Sequence, residues 1–338
     1  MRLSFFTTLA CLTFSHAIKH KGIDDPWSFD VNAGQYADWM DTIADNTLVS
    51  SLSIPGTHNS MTYDLKIQQM RTQNVHLSQQ LTGGIRYIDI TCKSDNFDIM
   101  VYHGLFNTGF SFGGVLRTIF DFLDKHPREA IILRIQRSTL SDLKAFSKYF
   151  SKYFSKYFDS QSNLGKRISQ RIYPVGTNGI TAVPTLGELR GRVLILQDFE
   201  TTPPGYGLPW NTDTVSSYSR RFSASTTSMD SKWDDIKSHL SEAPLASSTK
   251  LRITHTTASF GVIPINFAAR NAPKVGMNKH LGQYLRDERG SCFGIVAMDF
   301  PGQDVVKQIL SRNNKYQIPG TSGLPSDNDA ATVDSHGT

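Results

Sequence analysis

Cysteine is scarce in this chain of 338 residues: it has three, Cys11, Cys92 and Cys292. That excludes a small scaffold built on disulfides, which needs a dense cysteine framework. Long hydrophobic runs are also missing. The longest apolar stretch, Leu3–Phe14, falls short of the roughly 20 residues needed to span a bilayer. There is no block of basic residues and no zinc-finger or RNP pattern, so no nucleic-acid partner is expected. The charge balance is mild, with 35 Lys and Arg against 30 Asp and Glu, a net +5. No Asn-x-Ser/Thr acceptor occurs, and the C-terminus lacks the apolar end of a lipid-anchor signal. No EF-hand loop is present either.

What is present suits one large domain. Hydrophobic residues make up 39% of the chain, enough for a sizeable core. Arg2, the apolar run and the small residues of Ser15-His16-Ala17 read as a signal peptide over residues 1–17, which predicts a secreted, extracellular protein. Its removal takes Arg2 and Cys11 away and leaves a net charge of +4. Residues 18–317 read as the globular unit, and residues 318–338 as a disordered polar tail rich in Gly, Ser and Asp. Cys92 follows its strand and Cys292 precedes its own. In a parallel barrel this puts them at opposite ends, beyond the roughly 7 Å Cα limit of a bridge. A monomer is expected.

Strand-like runs recur at Val49–Ile54, Ile85–Thr91, Asp98–Tyr102, Ala130–Gln136, Arg192–Asp198, Leu251–His255 and Phe293–Asp299. Amphipathic helical stretches lie at Ser111–His126, Met277–Glu288 and Asp304–Arg312. This alternation predicts an α/β fold: a distorted (β/α) TIM-type barrel with mostly parallel strands. Polar groups gather where strands end, at His58, Asp89, His103, Asp198, His255 and Asp299. In such a barrel those positions share the C-terminal face, where sites form. Thr201–Ser231, with Tyr206, Trp210 and Tyr218, reads as a long surface loop on the rim.

A perfect repeat, Ser-Lys-Tyr-Phe three times over residues 147–158, sets a lysine stripe beside an aromatic one on a helix. Two readings stay open: a helix lying on a membrane surface, or an outer barrel helix with its rings turned inward.

His58 closes Leu52-Ser53-Ile54-Pro55-Gly56-Thr57, and His103 closes Ile99-Met100-Val101-Tyr102. Two imidazoles at separate strand ends suit a reaction in which one group takes a proton and another gives one. Cleavage of a phosphodiester by a neighbouring hydroxyl is such a reaction. Asp89 places a carboxylate in the otherwise apolar run Gly84–Thr91 between them. In Ile131–Gln136, alternation puts Arg134 and Gln136 on one face. A cation inside a barrel must be paired or solvated, which favours a site role for Arg134.

Over residues 48–137, the run Ser-Ile-Pro-Gly-Thr-His, the acidic strand and the Tyr-His-Gly resemble the X region of phosphatidylinositol-specific phospholipase C, in its small single-domain secreted form. A weaker echo lies at Gly294–Phe300. The resemblance implies an X-like catalytic barrel over residues 18–317. It also implies a phosphodiesterase that cleaves phosphatidylinositol, or a glycosylated form of it, to diacylglycerol and a cyclic inositol phosphate. Peripheral contact with the membrane surface follows. His58 would be the base, His103 the acid and Asp299 the carboxylate that pairs with the base. Asp89 would orient a histidine or bind a metal, and Gln136, Asp198 and His255 would meet the headgroup.

The chain departs from this pattern beside the histidines. Metal-free relatives carry Asp after the first His and Arg two residues past the Asp89-type carboxylate. Calcium-dependent relatives carry Asn and an acidic residue there. This chain has Asn59 and Thr91, and Gln136 stands where relatives carry Lys or Glu. Three outcomes stay open: Ca²⁺ on Asn59, Asp89 and Thr91; a protein cation, Arg134 or Lys93, with no cofactor; or a catalytically weak protein that binds inositol lipid.

Overall fold

The computed structural model describes residues 27–325, apart from 96, 139–151, 160, 178, 181, 202–204, 220–228, 243–249, 259–260, 271–274 and 288–291. The signal segment, residues 326–338 of the tail and the first Ser-Lys-Tyr-Phe copy lie outside the described residues.

The parallel α/β barrel expected from the alternation is present. Its strands are β1 (Ile54–Thr57), β2 (Tyr87–Asp95), β5 (Ile131–Arg137), β6 (Val193–Asp198), β7 (Leu208–Pro209), β8 (Val215–Tyr218), β9 (Leu251–His255) and β10 (Ile295–Met298). They pair side by side in the order β7-β6-β5-β2-β1-β10-β9-β8, with every neighbour parallel. Among the described residues β7 and β8 end this path without pairing, which is the distortion of the barrel.

Helices cover the outside: α1 (Leu77–Thr82), α2 (Phe112–Lys125), α3 (residues 152–157), α4 (Asn163–Arg171), α5 (Leu186–Leu189), α6 (Met229–Ser241), α7 (Pro264–Ala269), α8 (Met277–Asp287) and α9 (Gln303–Ser311). None is long and apolar enough to cross a membrane. Helix α2 follows its sequence pattern. Ser111 caps it by accepting the Gly114 N–H at 3.1 Å. Val115, Leu116, Ile119, Phe120, Phe122 and Leu123 are buried as one stripe.

The first strand lies later than its apolar run suggests. Val49–Ser51 form a 3-10 turn, and β1 begins at Ile54. Pro and Gly have poor strand propensity, yet Pro55 and Gly56 are held in β1 by parallel neighbours on both sides. Gly56 is required by packing: a Cβ there would lie 2.6 Å from Cδ1 of Tyr87, whose ring fills the barrel interior.

Past the rim, β2 continues upward and folds back as β3 (Asp98–His103), which returns through β4 (Phe106–Ser111). This antiparallel excursion is absent from the plain β/α pattern. Thr201–Ser231 is likewise more than a loop, since it supplies β7, β8 and the start of α6. In α3 the rings point inward: Tyr153 and Phe154 are buried while Lys152 and Lys156 are exposed. Phe154 stacks on Phe112 at 5.1 Å and meets Tyr206 at 4.3 Å. Cys92 and Cys292 are free, buried thiols.

Candidate active site

Parallel pairing decides which residues meet. Thr57 is in register with Met298, so His58 and Asp299, each one residue past its strand, leave the barrel at the same level. His58 Nδ1 lies 2.9 Å from Asp299 Oδ1. Asp299 is fully buried, and its Oδ2 accepts the Ala258 N–H at 2.9 Å. A buried carboxylate this close requires the His58 hydrogen on Nδ1, which leaves the Nε2 lone pair for the mouth. Burial pulls the His58 pKa down, but the charges of Asp299 and Asp89 and the hydrogen bond outweigh it and hold it above the ordinary value. The side chain is 20% exposed, so solvent and ligand can reach it.

Two residues that sequence reasoning missed fix this backbone. The Gln73 side-chain amide donates to the carbonyls of His58 and Met298, both at 3.0 Å, stapling the two strand ends together. Thr72 Oγ1 donates to the His58 carbonyl at 3.0 Å. Neither lies in a strand run or motif, so no sequence signal marked them. Asn59, where the resemblance to metal-free relatives would place an Asp, turns its side chain to the histidine beside it. It adopts a left-handed backbone (φ 44°), and its side-chain nitrogen lies 2.8 Å from His58 Nε2.

The β2–β3 excursion carries His103 back to the mouth. Tyr102 pairs with Thr91, so His103 falls near the level of Ile90 and Asp89. Burial, joined by repulsion from His58, lowers its pKa to about 4.

Asp89 and Arg134 are directly in register on β2 and β5. Arg134 Nη1 stands 3.5 Å from Asp89 Oδ1, and Nη2 donates to Asp198 Oδ2 at 2.6 Å. Trp210, from the segment between β7 and β8, lies flat on the guanidinium at 3.9 Å. Burial opposes its charge, but the carboxylates outweigh that and hold it firmly cationic. Its Nε has no protein hydrogen-bond partner.

Thr91 and Gln136, both uncharged, face each other in register. Thr91 Oγ1 donates to Gln136 Oε1 at 3.2 Å. His255 is buried with its Nε2 unpartnered, its ring edge-on to His58 at 5.9 Å. Burial holds it well below the ordinary histidine value, hence neutral. The structure thus gathers His58, Asp89, His103, Arg134, Gln136, Asp198, His255 and Asp299 at one end of the barrel. Lys93 instead lies over the Tyr102 ring, outside this group.

Lys232 on α6 was also missed. It is buried, its ammonium donates to the Thr257 carbonyl, and it lies 4.9 Å from the Phe267 centroid. Burial lowers its pKa to about 8, against the pull of Asp299.

A calcium ion on Asn59 and Asp89 fits poorly. Arg134 already holds Asp89, and Asn59 faces His58. Thr91 is engaged with Gln136. Among the described residues no group of three or more His, Cys, Asp or Glu could hold a metal.

Comparison with known proteins agrees with this geometry. Residues 49–198 match the family described as phosphatidylinositol-specific phospholipase C, X domain. A 1-phosphatidylinositol phosphodiesterase of Listeria monocytogenes is 32% identical over 310 residues, covering 82% of this chain and 85% of the relative. A protein of the same name from Staphylococcus aureus is 28% identical over 177 residues, half of this chain and 54% of the relative. Among solved structures, the Listeria monocytogenes phosphatidylinositol-specific phospholipase C superposes with a TM-score of 0.67 at 27% identity, over 83% of this chain and 99% of that one. A variant of the Staphylococcus aureus enzyme superposes at 0.62 with 17% identity, over 86% and 99%, a likeness of fold. With its histidines, carboxylates and barrel in this arrangement, the chain belongs to the phosphatidylinositol-specific phospholipase C family.

Proposed function

We propose that this protein is a phospholipase C-type phosphodiesterase that cleaves phosphatidylinositol, or a glycosylated form of it, to diacylglycerol and a cyclic inositol phosphate. The observation that carries the reading is the His58–Asp299 pair at 2.9 Å, with Arg134 and His103 at the same mouth.

Phosphatidylinositol brings its own nucleophile, the 2-hydroxyl beside the phosphate. His58 Nε2 takes that proton while Asp299 holds the imidazole and stabilises the imidazolium. The oxygen attacks phosphorus, and His103 protonates the departing diacylglycerol oxygen. Arg134 supplies the cation that the phosphate oxygens need as charge builds. Asn59 must swing off Nε2 for the hydroxyl to reach it. An anionic phosphate beside His103 raises its pKa, so the acid gains its proton when substrate binds. Asp198, Gln136 and His255 line the same opening and would contact the inositol hydroxyls. Residues 18–317 form the catalytic unit, secreted as a monomer after loss of residues 1–17.

One second reading has an observation in its favour. Asn59 covers Nε2 and two carboxylates share Arg134, which suits a weakly catalytic protein that holds inositol lipid. Release of diacylglycerol from phosphatidylinositol vesicles, with calcium and again with excess chelator, separates the readings. Equal release in both supports Arg134 as the cation. Release only with calcium places an ion at Asn59 and Asp89. Vesicle binding without release supports the binder.

A further inference from the structure

The β2–β3–β4 excursion ends in large apolar side chains that the fold leaves in water. Phe97, in the β2–β3 turn, is 82% exposed, and Leu105, in the β3–β4 turn, is 74% exposed. Phe106 beside Leu105 is also exposed. The bulk of the core lies elsewhere, and at 82% Phe97 is the most exposed large hydrophobic side chain among the described residues, a placement that gains nothing for the fold. Phe97 also sits in a left-handed backbone (φ 66°), a conformation that disfavours aromatic residues.

The placement of these side chains is specific. Leu105 and Phe106 follow His103 directly, and Phe106 pairs with His103 across the turn. Leu105 and Phe106 therefore border the mouth, while Phe97 stands at the other end of β3, farther out from the barrel. Phe97 touches Tyr153 of α3 edge-on at 6.5 Å. The exposed ammonium groups of Lys156 and Lys152 lie 4.8 and 5.9 Å from that same ring. Lys93 adds a further ammonium over Tyr102, on the β2 side of the excursion. The nearby carboxylates are engaged within the protein: Asp98 accepts from Tyr157, and Asp95 from Tyr102 at 2.7 Å. Exposed apolar side chains at both turns of the excursion, with lysines around the Phe97 end and over Tyr102, on the same end of the barrel as the site, match an anionic bilayer surface in both chemistry and position.

We infer that Phe97 at one end of β3 and Leu105 with Phe106 at the other are the two ends of an apolar wedge that enters the acyl boundary of an anionic inositol-lipid bilayer, with Lys93, Lys152 and Lys156 on the headgroups. The wedge delivers substrate to the mouth beside His103. This rests on the proposed lipid substrate. It divides the Ser-Lys-Tyr-Phe repeat between two tasks, with rings packing inward and lysines facing lipid.

The test compares the wild-type protein with a Phe97→Ser/Leu105→Ser variant and a Lys152→Gln/Lys156→Gln variant. Each is assayed on vesicles of phosphatidylinositol in phosphatidylcholine and on a short-chain phosphatidylinositol kept below its micelle concentration. Both surface variants should turn over the monomeric lipid as the wild type does. The serine variant should bind vesicles at least about tenfold more weakly and release diacylglycerol from them correspondingly slowly. The lysine variant should lose binding at low salt and differ little from wild type at high salt. Wild-type inactivity on both lipids would overturn the catalytic reading rather than the wedge, since vesicle binding still reports on the tips. Unchanged vesicle binding by the serine variant would overturn the wedge. So would a wild-type dimer in sedimentation that the serine variant abolishes while still binding vesicles, since the tips would then be a contact between two copies of this chain.

Discussion

Arg134 and Asp89 stand side by side in register on adjacent barrel strands, Nη1 and Oδ1 3.5 Å apart. Arg134 of this pair lies one strand over from Thr91, where the resemblance would place an Arg. Under the proposed function Arg134 would supply that cation, from β5 beneath the mouth instead of from the end of β2. Asp198 and the Trp210 ring hold it in one orientation.

Arg134→Lys should therefore lower kcat/KM for phosphatidylinositol by about 10²- to 10³-fold, because an ammonium can neither stack flat on Trp210 nor reach both carboxylates and phosphate. Arg134→Ala would also leave Asp89 unpaired, so its activity loss must be read beside its melting temperature. The double variant with Asp89→Asn removes that buried charge. If Arg134→Lys cleaves as fast as wild type, Arg134 is a structural ion pair and the phosphate is met by another group.

His58→Ala should abolish turnover, by about 10⁴-fold or more, and leave the fold intact, since the ring is partly exposed and its backbone is held by Gln73 and Thr72. Circular dichroism and melting temperature check the fold; diacylglycerol release checks the activity. Near-full activity would sink the acid–base assignment.

The two histidines are shifted in opposite directions, His58 above its ordinary value and His103 down to about 4. The proposed mechanism needs His58 neutral and His103 protonated. Below about 4 both carry protons, and above the His58 value neither does, so activity falls on both sides. In between, the single proton sits mostly on His58 and only a constant minority of molecules is competent. The kcat/KM profile should therefore be a bell on the acid side of neutrality. Asp299→Asn removes the charge that raises His58 and should move the alkaline limb to lower pH. A profile that climbs through pH 7 to a plateau at pH 9 would contradict this assignment.

Much of the barrel was legible because its strands are short apolar runs ending in polar groups. Leu251–His255 is observed with the expected bounds, and Arg192–Asp198 differs by one residue. The candidate site was legible for the same reason, since parallel pairing brings strand ends together wherever they fall in the sequence. What the sequence concealed are contacts made by tertiary structure alone. Gln73 touches Met298 across 225 residues, and no local pattern encodes that. β1 was misplaced because Pro55-Gly56 looks like a strand stop until β10 and β2 flank it. Lys232 was invisible because an amphipathic helix normally turns its lysines to water.

Gly56→Ala tests the packing that shapes the first catalytic strand. The added methyl would lie 2.6 Å from Tyr87 Cδ1 and 2.8 Å from its Cβ. Strand pairing on both sides prevents β1 from moving away. Overpacking of this kind costs about 1–3 kcal/mol, and denaturant unfolding should show it as a lower midpoint at unchanged slope. A variant as stable as wild type would mean that the Tyr87 ring has room to turn.

Lys232 offers a way to disturb the His58–Asp299 pair without touching it. Its ammonium holds the Thr257 carbonyl, and the next N–H, of Ala258, holds Asp299 Oδ2 at 2.9 Å. Lys232→Met keeps the volume and the Phe267 contact but releases that turn. It should reduce kcat by about tenfold while changing KM little, because the lost bond orients a carboxylate and meets no substrate. Stability should move the other way. The lysine is depressed to about 8 in the folded chain and regains its ordinary value of 10.5 on unfolding. Between those values the unfolded state binds more protons, so wild-type stability rises with pH across that window. The full gain is on the order of 3 kcal/mol, and Lys232→Met should lack it. Denaturant midpoints of both proteins at pH 7.5 and 10 measure the difference. If the two respond alike to pH, Lys232 is solvated in solution and its tether to the catalytic carboxylate does not form.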